Sequence, residues 1–412
     1  MREALLFLLA VAAAAAFSCK DQSNKDVDWW FAYKLPKEKA SKEMPGLRDG
    51  TAFYYLDANN PVFTPSDVSL GEKNQAIAYT LQQFYDSAKD PSIFYVFYND
   101  DTNIDEKLKL FENKTEEDAR SSQYGHTKGV SFFNRSSGVW YVHSVPRFPS
   151  LNGYHYPGSA KSYGQSMLCI SMGYDQLKSV GTQLFYNRPK IYHAHLPKDM
   201  AVENEDLAQA VLGKYQKGVL KSSILDLHSK NGVTFRSFAK TGTFAEDLYS
   251  ELVAPNLRSN LTVETWRRGR IIEPQCSARF VVNDVLEMKV GSIPAFKYTR
   301  DHSKLAVSAS PHTPYTCIGD INRMYLRRTL YTLENGPHSL LLCISTKPVL
   351  GLLRSMIDIV KAQKPSDHLL LIENQTSDGR EMMEEVVECA CALINKILCV
   401  ICPTVKYVLQ IP

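Results

Sequence analysis

Two triplets in the 412-residue chain could carry phosphoryl-transfer chemistry: His126-Thr127-Lys128 and His302-Ser303-Lys304, one in each half of the sequence. In an extended strand residues i and i+2 point to the same face, so each triplet can set an imidazole beside an ammonium. A neutral imidazole can attack phosphorus, an imidazolium can donate a proton, and the lysines can hold non-bridging phosphate oxygens. One such triplet arises by chance in many chains. Two copies supply one nucleophile and one acid, the minimum for cleaving a phosphodiester without a metal, and they predict a single site between two halves.

The residues around the triplets are patterned as well. Gly125-His126-Thr127-Lys128-Gly129-Val130 is followed by Val142-His143-Ser144-Val145-Pro146-Arg147-Phe148-Pro149, and Asp301-His302-Ser303-Lys304 by Tyr315-Thr316-Cys317-Ile318-Gly319-Asp320-Ile321-Asn322-Arg323. Together with Cys19-Lys20-Asp21 and Val27-Asp28-Trp29, these strings resemble the deoxyribonuclease II family, a divergent branch of the phospholipase D superfamily, from about Phe17 to about Met324. The resemblance implies an α/β (mixed α+β) fold: a phospholipase D-like pseudo-dimer of two sheet-plus-helix halves with one active site between them. It implies an acid endonuclease of lysosomes acting on double-stranded DNA, with no cofactor and no metal. His126, Lys128, His302 and Lys304 would be catalytic, with His126 the nucleophile and His302 the acid, although a pseudo-symmetric site does not reveal which is which. His143 and Asn322 follow their triplets at similar distances and are read as quasi-equivalent substrate contacts. Where the superfamily usually has an Asp after each triplet, this chain has Phe133 and Ala309. The resemblance further implies a Cys19–Cys169 disulfide, with Cys276 and Cys317 in disulfides whose partners stay open.

Elements must position these residues. The hairpin pattern Gly125–Phe133 and Gly138–Val145, joined by Asn134-Arg135-Ser136-Ser137, would return His143 towards the first triplet. Asn74–Ala88, Glu203–Lys214, Asp247–Val253 and Met356–Ala362 read as helical. Asn99-Asp100-Asp101 reads as a turn cap rather than a metal ligand set, and Ile191–His195 as a surface strand rather than a zinc site. Tyr154, Tyr156 and Tyr163 lie in an aromatic loop suited to stacking or to packing. The expected divisions are 1–16 signal peptide, 17–190 first half, 191–326 second half and 327–412 a divergent extension, in which Cys389, Cys391, Cys399 and Cys402 suit disulfides better than zinc.

The formal charge is only +3, with 47 Lys+Arg against 44 Asp+Glu, so no global positive field argues for a nucleic-acid partner. Ten histidines move the surface positive at acid pH. The basic candidates for a DNA backbone are Arg267, Arg268 and Arg270, with the alternating strand Gly232–Lys240 as a phosphate-contacting edge. A short n-region at Arg2, an apolar run Leu5–Ala16 and sequons at Asn113, Asn134, Asn260 and Asn374 predict a secreted or lysosomal glycoprotein without a transmembrane segment, and a homodimer is compatible with all of this. The rival readings are a lipid or other phosphodiesterase using the same histidines and a non-catalytic secreted DNA-binding protein.

Overall fold

Runs rich in aromatic and β-branched residues become central strands where both faces can be covered. A computed structural model describes residues 16–38, 44–101, 124–267, 272, 279–291, 293–308, 314–323 and 338–345, and the backbone of 357–362. A short ribbon, β1 (Cys19–Lys20) with β2 (Asp26–Val27), precedes the first sheet. That sheet contains β3 (Trp29–Lys34), β4 (Phe53–Asp57), β5 (Thr64–Pro65), β6 (Phe94–Asn99), β7 (Lys128–Phe133), β8 (Ser137–His143), β9 (Gln165–Gly173) and β10 (Ile191–His195). The second contains β11 (Ser222–His228), β12 (Thr234–Lys240), β13 (Leu261–Thr265), β14 (Val282–Val290), β15 (Phe296–Lys297), β16 (Lys304–Ser308), β17 (Tyr315–Gly319), β18 (Ser339–Ser345) and β19 (Ile357–Ala362).

The spatial orders match over six strands. The first sheet runs β10-β6-β7-β8-β9-β3-β4-β5 and the second, read from its far side, runs β15-β14-β13-β16-β17-β18-β12-β11, with β19 also paired to β14. Aligned on the triplet strands β7 and β16, β6 corresponds to β13, and β8-β9-β3-β4 to β17-β18-β12-β11. The correspondence breaks at the edge, where β10 pairs antiparallel with β6 but β14 pairs parallel with β13.

The sheets face each other across one shared core. Trp29, Phe31, Val96, Trp140 and Ile170 of the first sheet meet Leu227, Phe235, Met288, Leu305, Ile318 and Leu342 of the second, with Trp29 edge-on to Phe235 at 6.5 Å between centroids. Helix α1 (Ala76–Ser87) covers the outer face of the first sheet through Ile77, Leu81 and Phe84, and Gln75 caps it by accepting from the Ile77 and Ala78 amides. A π-helical turn, Leu248–Val253, continuing into a short α-helix, covers the outer face of the second sheet. Helix α2 (Leu177–Asn187) lies within the shared core against β11, β12 and β18. Each large apolar side chain fully buried this way contributes about 1.5–3 kcal/mol, which is why two layers of strands hold their ends in register.

Several elements differ from expectation. Ile191–His195 belongs to the first sheet, which therefore continues past residue 190. Ser339–Ser345 lies between β12 and β17 and extends the second sheet past residue 326, because the Leu340-Leu341-Leu342 run is apolar on both faces and fits only a central position. Ile357–Ala362 is a strand paired with β14 rather than a helix. The helix expected over Glu203–Lys214 is two short ones, Lys198–Glu203 and Glu205–Val211, parted at Asn204. Strand β12 is interior, so it is not an edge. Cys19 and Cys169 form a disulfide, and Cys317 pairs with Cys343 across β17 and β18. Cys276, the extension beyond residue 362, most of the expected signal peptide and the sequons at Asn113 and Asn374 lie outside the described residues. Among the described residues no helix is long and apolar enough to cross a membrane.

Candidate active site

Each triplet stands at the mouth of a central strand: Lys128 opens β7 and Lys304 opens β16, with the histidines just ahead of the strands. The registers are the same on both sides. Asn99 faces Lys128 and Val142 faces Gly129, while Thr265 faces Lys304 and Ile318 faces Leu305. Asp100 and Trp266 therefore occupy equivalent positions, as do His143 and Gly319, and Ser144 and Asp320. His143 is not the counterpart of Asn322, because the count from the triplet ignores the different hairpin lengths.

The His126 loop is pinned by backbone. The Gly125 amide donates to the Arg188 carbonyl at 2.9 Å and the His126 amide to the His338 carbonyl at 3.2 Å. Gly125 passes so close to the Asn187 carbonyl that a Cβ would lie 2.1 Å from it, so the position needs glycine. Nδ1 of His126 lies 2.5 Å from the Asp320 carbonyl oxygen. A carbonyl only accepts, so Nδ1 carries the proton and the lone pair of the neutral ring is on Nε2. Nε2 lies 3.5 Å from Oδ2 of Asp100, whose other oxygen is ion-paired with Lys128. The Asp320 carboxylate accepts from the Leu340 amide at 2.9 and 3.1 Å, which fixes the turn that offers its carbonyl.

Electrostatics follow from this packing. Burial lowers the pKa of His126, Lys128 lowers it further and Asp100 opposes both, leaving it at about 4, with 35% of the side chain still open to solvent. Burial raises Asp100, but Lys128 and His126 prevail and hold it at about 2. Burial, then Lys128, brings Lys304 down to about 7 against the pull of Asp100. Lys304 acts on His126, and Lys128 on Lys304, so the two triplets share one electrostatic neighbourhood.

His302 is held differently. Its amide donates to the Gly164 carbonyl at 2.9 Å. Its ring stacks on Tyr163 at 4.1 Å and 8°, with Trp266 at 3.9 Å and 45°. Asp301 accepts from the Tyr33 hydroxyl at 2.6 Å and from the amide and hydroxyl of Ser303 at 2.8 Å. Lys304 donates to the His302 carbonyl at 2.7 Å. Tyr33, Tyr163 and Gly164 come from the first half and Asp320 and His338 from the second, so each triplet is completed by the other half.

The Deoxyribonuclease II family model matches residues 18–362. The chain belongs to the deoxyribonuclease II family. Deoxyribonuclease-2 of Caenorhabditis elegans is 50% identical over 335 residues, covering 78% of this chain and 89% of that protein. Plancitoxin-1 of Acanthaster planci is 37% identical over 339 residues (81% and 91%), and Deoxyribonuclease-2-alpha of Rattus norvegicus 36% over 325 (77% and 89%). The match reaches well past Met324, because β18 and β19 complete the second sheet.

The remaining expected residues of this deoxyribonuclease II-family chain are distributed unevenly. His143 is buried; its Nδ1 accepts from the Val145 amide at 3.1 Å, and its Nε2 has no hydrogen-bond partner. With Thr127, Lys128, Gly319, Asp320 and Leu340 it lines a small cavity between the halves. Asn322 is half-buried in the turn beyond Asp320. Arg267 does not face DNA: its guanidinium is fully buried, 2.9 Å from Asp284, which also binds Arg323 at 2.8 Å. Arg268 and Arg270 lie outside the described residues. Lys240 is buried at the end of β12. Asn134 is nearly buried, its Oδ1 accepting from the Ser136 and Ser137 amides, whereas Asn260 is exposed. The sequence placed none of Asp100, Asp320, Tyr163 and Trp266 beside a triplet histidine, although Tyr163 stood in the loop read as suited to stacking or packing. Asp100 looked like a turn cap, and only its place after a strand paired with β7 would have signalled otherwise.

Proposed function

We propose that this deoxyribonuclease II-family enzyme hydrolyses phosphodiester bonds of double-stranded DNA at acid pH without a divalent metal. The observation that carries the reading is Nδ1 of His126 against a carbonyl, which leaves a lone pair on an accessible Nε2. Nε2 attacks phosphorus, the bond to the 5′-oxygen breaks, and His302 gives its proton to that oxygen. His302 then takes a proton from water, whose oxygen displaces His126 from the phosphohistidine. The products carry 3′-phosphate and 5′-hydroxyl ends. Lys128 and Lys304 hold the charge that develops on the non-bridging oxygens. The Nε2–H of His143, lacking an acceptor within the described residues, is a donor for a substrate oxygen in the adjoining cavity.

The pKa directions support the acid range. His126 must be neutral to attack, which requires a pH above about 4. Lys304 must be charged to stabilise phosphate, which requires a pH below about 7. The kcat/KM profile is therefore a bell on the acid side of neutrality, suited to lysosomal or secreted use after removal of residues 1–16. Purified protein incubated with plasmid in EDTA across pH 3–8 tests the reading. Cleavage with a maximum between the two limits, giving 5′ ends that a kinase labels without prior phosphatase, is the expected result. Ends that need phosphatase first would reverse the mechanism, and turnover of phospholipid but not DNA would overturn the substrate.

A further inference from the structure

Arg188 ends α2 in the left-handed conformation (φ 44°), and its carbonyl receives the Gly125 amide, one residue before His126. Its guanidinium lies over two tyrosine rings, 3.9 Å from the centroid of Tyr215 and 5.2 Å from that of Tyr124. Lys217 sits 4.9 Å from the Tyr215 ring as well. Arg135, Arg147, Arg236, Arg267, Arg300 and Arg323 each meet a carboxylate. Arg188 takes part in no ion pair among the described residues, and its Nε is buried with no hydrogen-bond partner there. The two tyrosines are half-buried, so their rings hold the guanidinium in place without sealing it off.

A planar guanidinium fixed by aromatic stacking, with no ion pair among the described residues, is preorganised for the paired oxygens of a phosphate. Tyrosine rings beside it suit the sugars and bases of the same strand. The backbone bond to Gly125 ties this group to the His126 loop, so an anion held there is registered against the reacting one. We propose that Arg188, framed by Tyr124 and Tyr215 and assisted by Lys217, is a subsite for a DNA phosphate flanking the scissile one. The proposal rests on the DNA-hydrolase reading above, and the test separates the two.

Binding of a fluorescent DNA duplex in EDTA, in a His126→Ala background that blocks cleavage, reads the subsite directly. Arg188→Gln should weaken binding roughly tenfold near 0.1 M salt and lower the slope of log K against log salt by about one. Arg188→Lys should restore the slope. In the otherwise native enzyme, Arg188→Gln should leave turnover of thymidine 3′-(4-nitrophenyl) phosphate, which has no flanking phosphate, unchanged. Unaltered affinity and slope would overturn the proposal. So would equal loss on DNA and the small diester, which would mean that Arg188 only shapes the His126 loop. Cleavage of DNA by the unaltered enzyme tests the hydrolase reading separately.

Discussion

Where Asp100 follows β6 beside His126, the second half places Trp266 after β13 beside His302. The triplet strands and their partners keep the same register at these positions, so the contrast at the two histidines is made by the side chains placed there. A carboxylate next to an imidazole favours its charged form and a lysine opposes it, so His126 is governed by the balance of Asp100, Lys128 and burial. His302 instead packs against two aromatic rings, and its loop is held by Asp301, Ser303 and Tyr33. Among the described contacts, His126 lies beside charged groups and His302 beside stacked rings. Two groups of the same type in unlike environments can take different roles at one pH, which a strictly symmetric pair could not.

The sharpest way to break this comparison is to remove each histidine in turn. His126→Ala and His302→Ala should each lower DNA cleavage by about a thousandfold or more. They should diverge on thymidine 3′-(4-nitrophenyl) phosphate, whose leaving group needs no proton. His302→Ala should still release a burst of nitrophenol as the phosphohistidine forms, and His126→Ala should release none. A burst from His126→Ala alone would exchange the two roles.

A smaller effect is expected from the charged neighbour. Asp100→Asn should cost roughly a hundredfold in kcat/KM, because Lys128 loses its partner. Asp100 raises the pKa of His126, so removing it should move the acid limb of the profile to lower pH. Movement to higher pH, or none, would show that the limb belongs to another group.

The smallest effect on turnover is expected from the two disulfides among the described residues, one in each half. Cys19–Cys169 spans 150 residues and Cys317–Cys343 spans 26. On loop closure alone, losing the first should destabilise by about 5 kcal/mol and the second by about 3.5 kcal/mol. Denaturant titration of the paired Cys→Ala variants measures this, and the folded fraction should keep its kcat. Equal losses would show that strain or residual structure outweighs chain entropy.

Short-range pattern alone determined a good deal about this protein. The repeated triplets, the hairpin around Asn134, helix α1 and the motif strings depend on residue type and local spacing, and they pointed to two halves and to the family. The partners of the triplets were decided by tertiary structure. The Asp320 carbonyl lies on His126 and Tyr163 stacks on His302 because two sheets pack face to face, and no count along the chain brings those residues together. The arginines show the same limit. Arg267 looked exposed in a basic run, yet Asp284 on the neighbouring strand draws it inside, while Arg188, unremarkable in sequence, meets no carboxylate among the described residues beside the His126 loop. Burial and pairing decide which charges remain available to a ligand, and both are properties of the packed chain rather than of the residue.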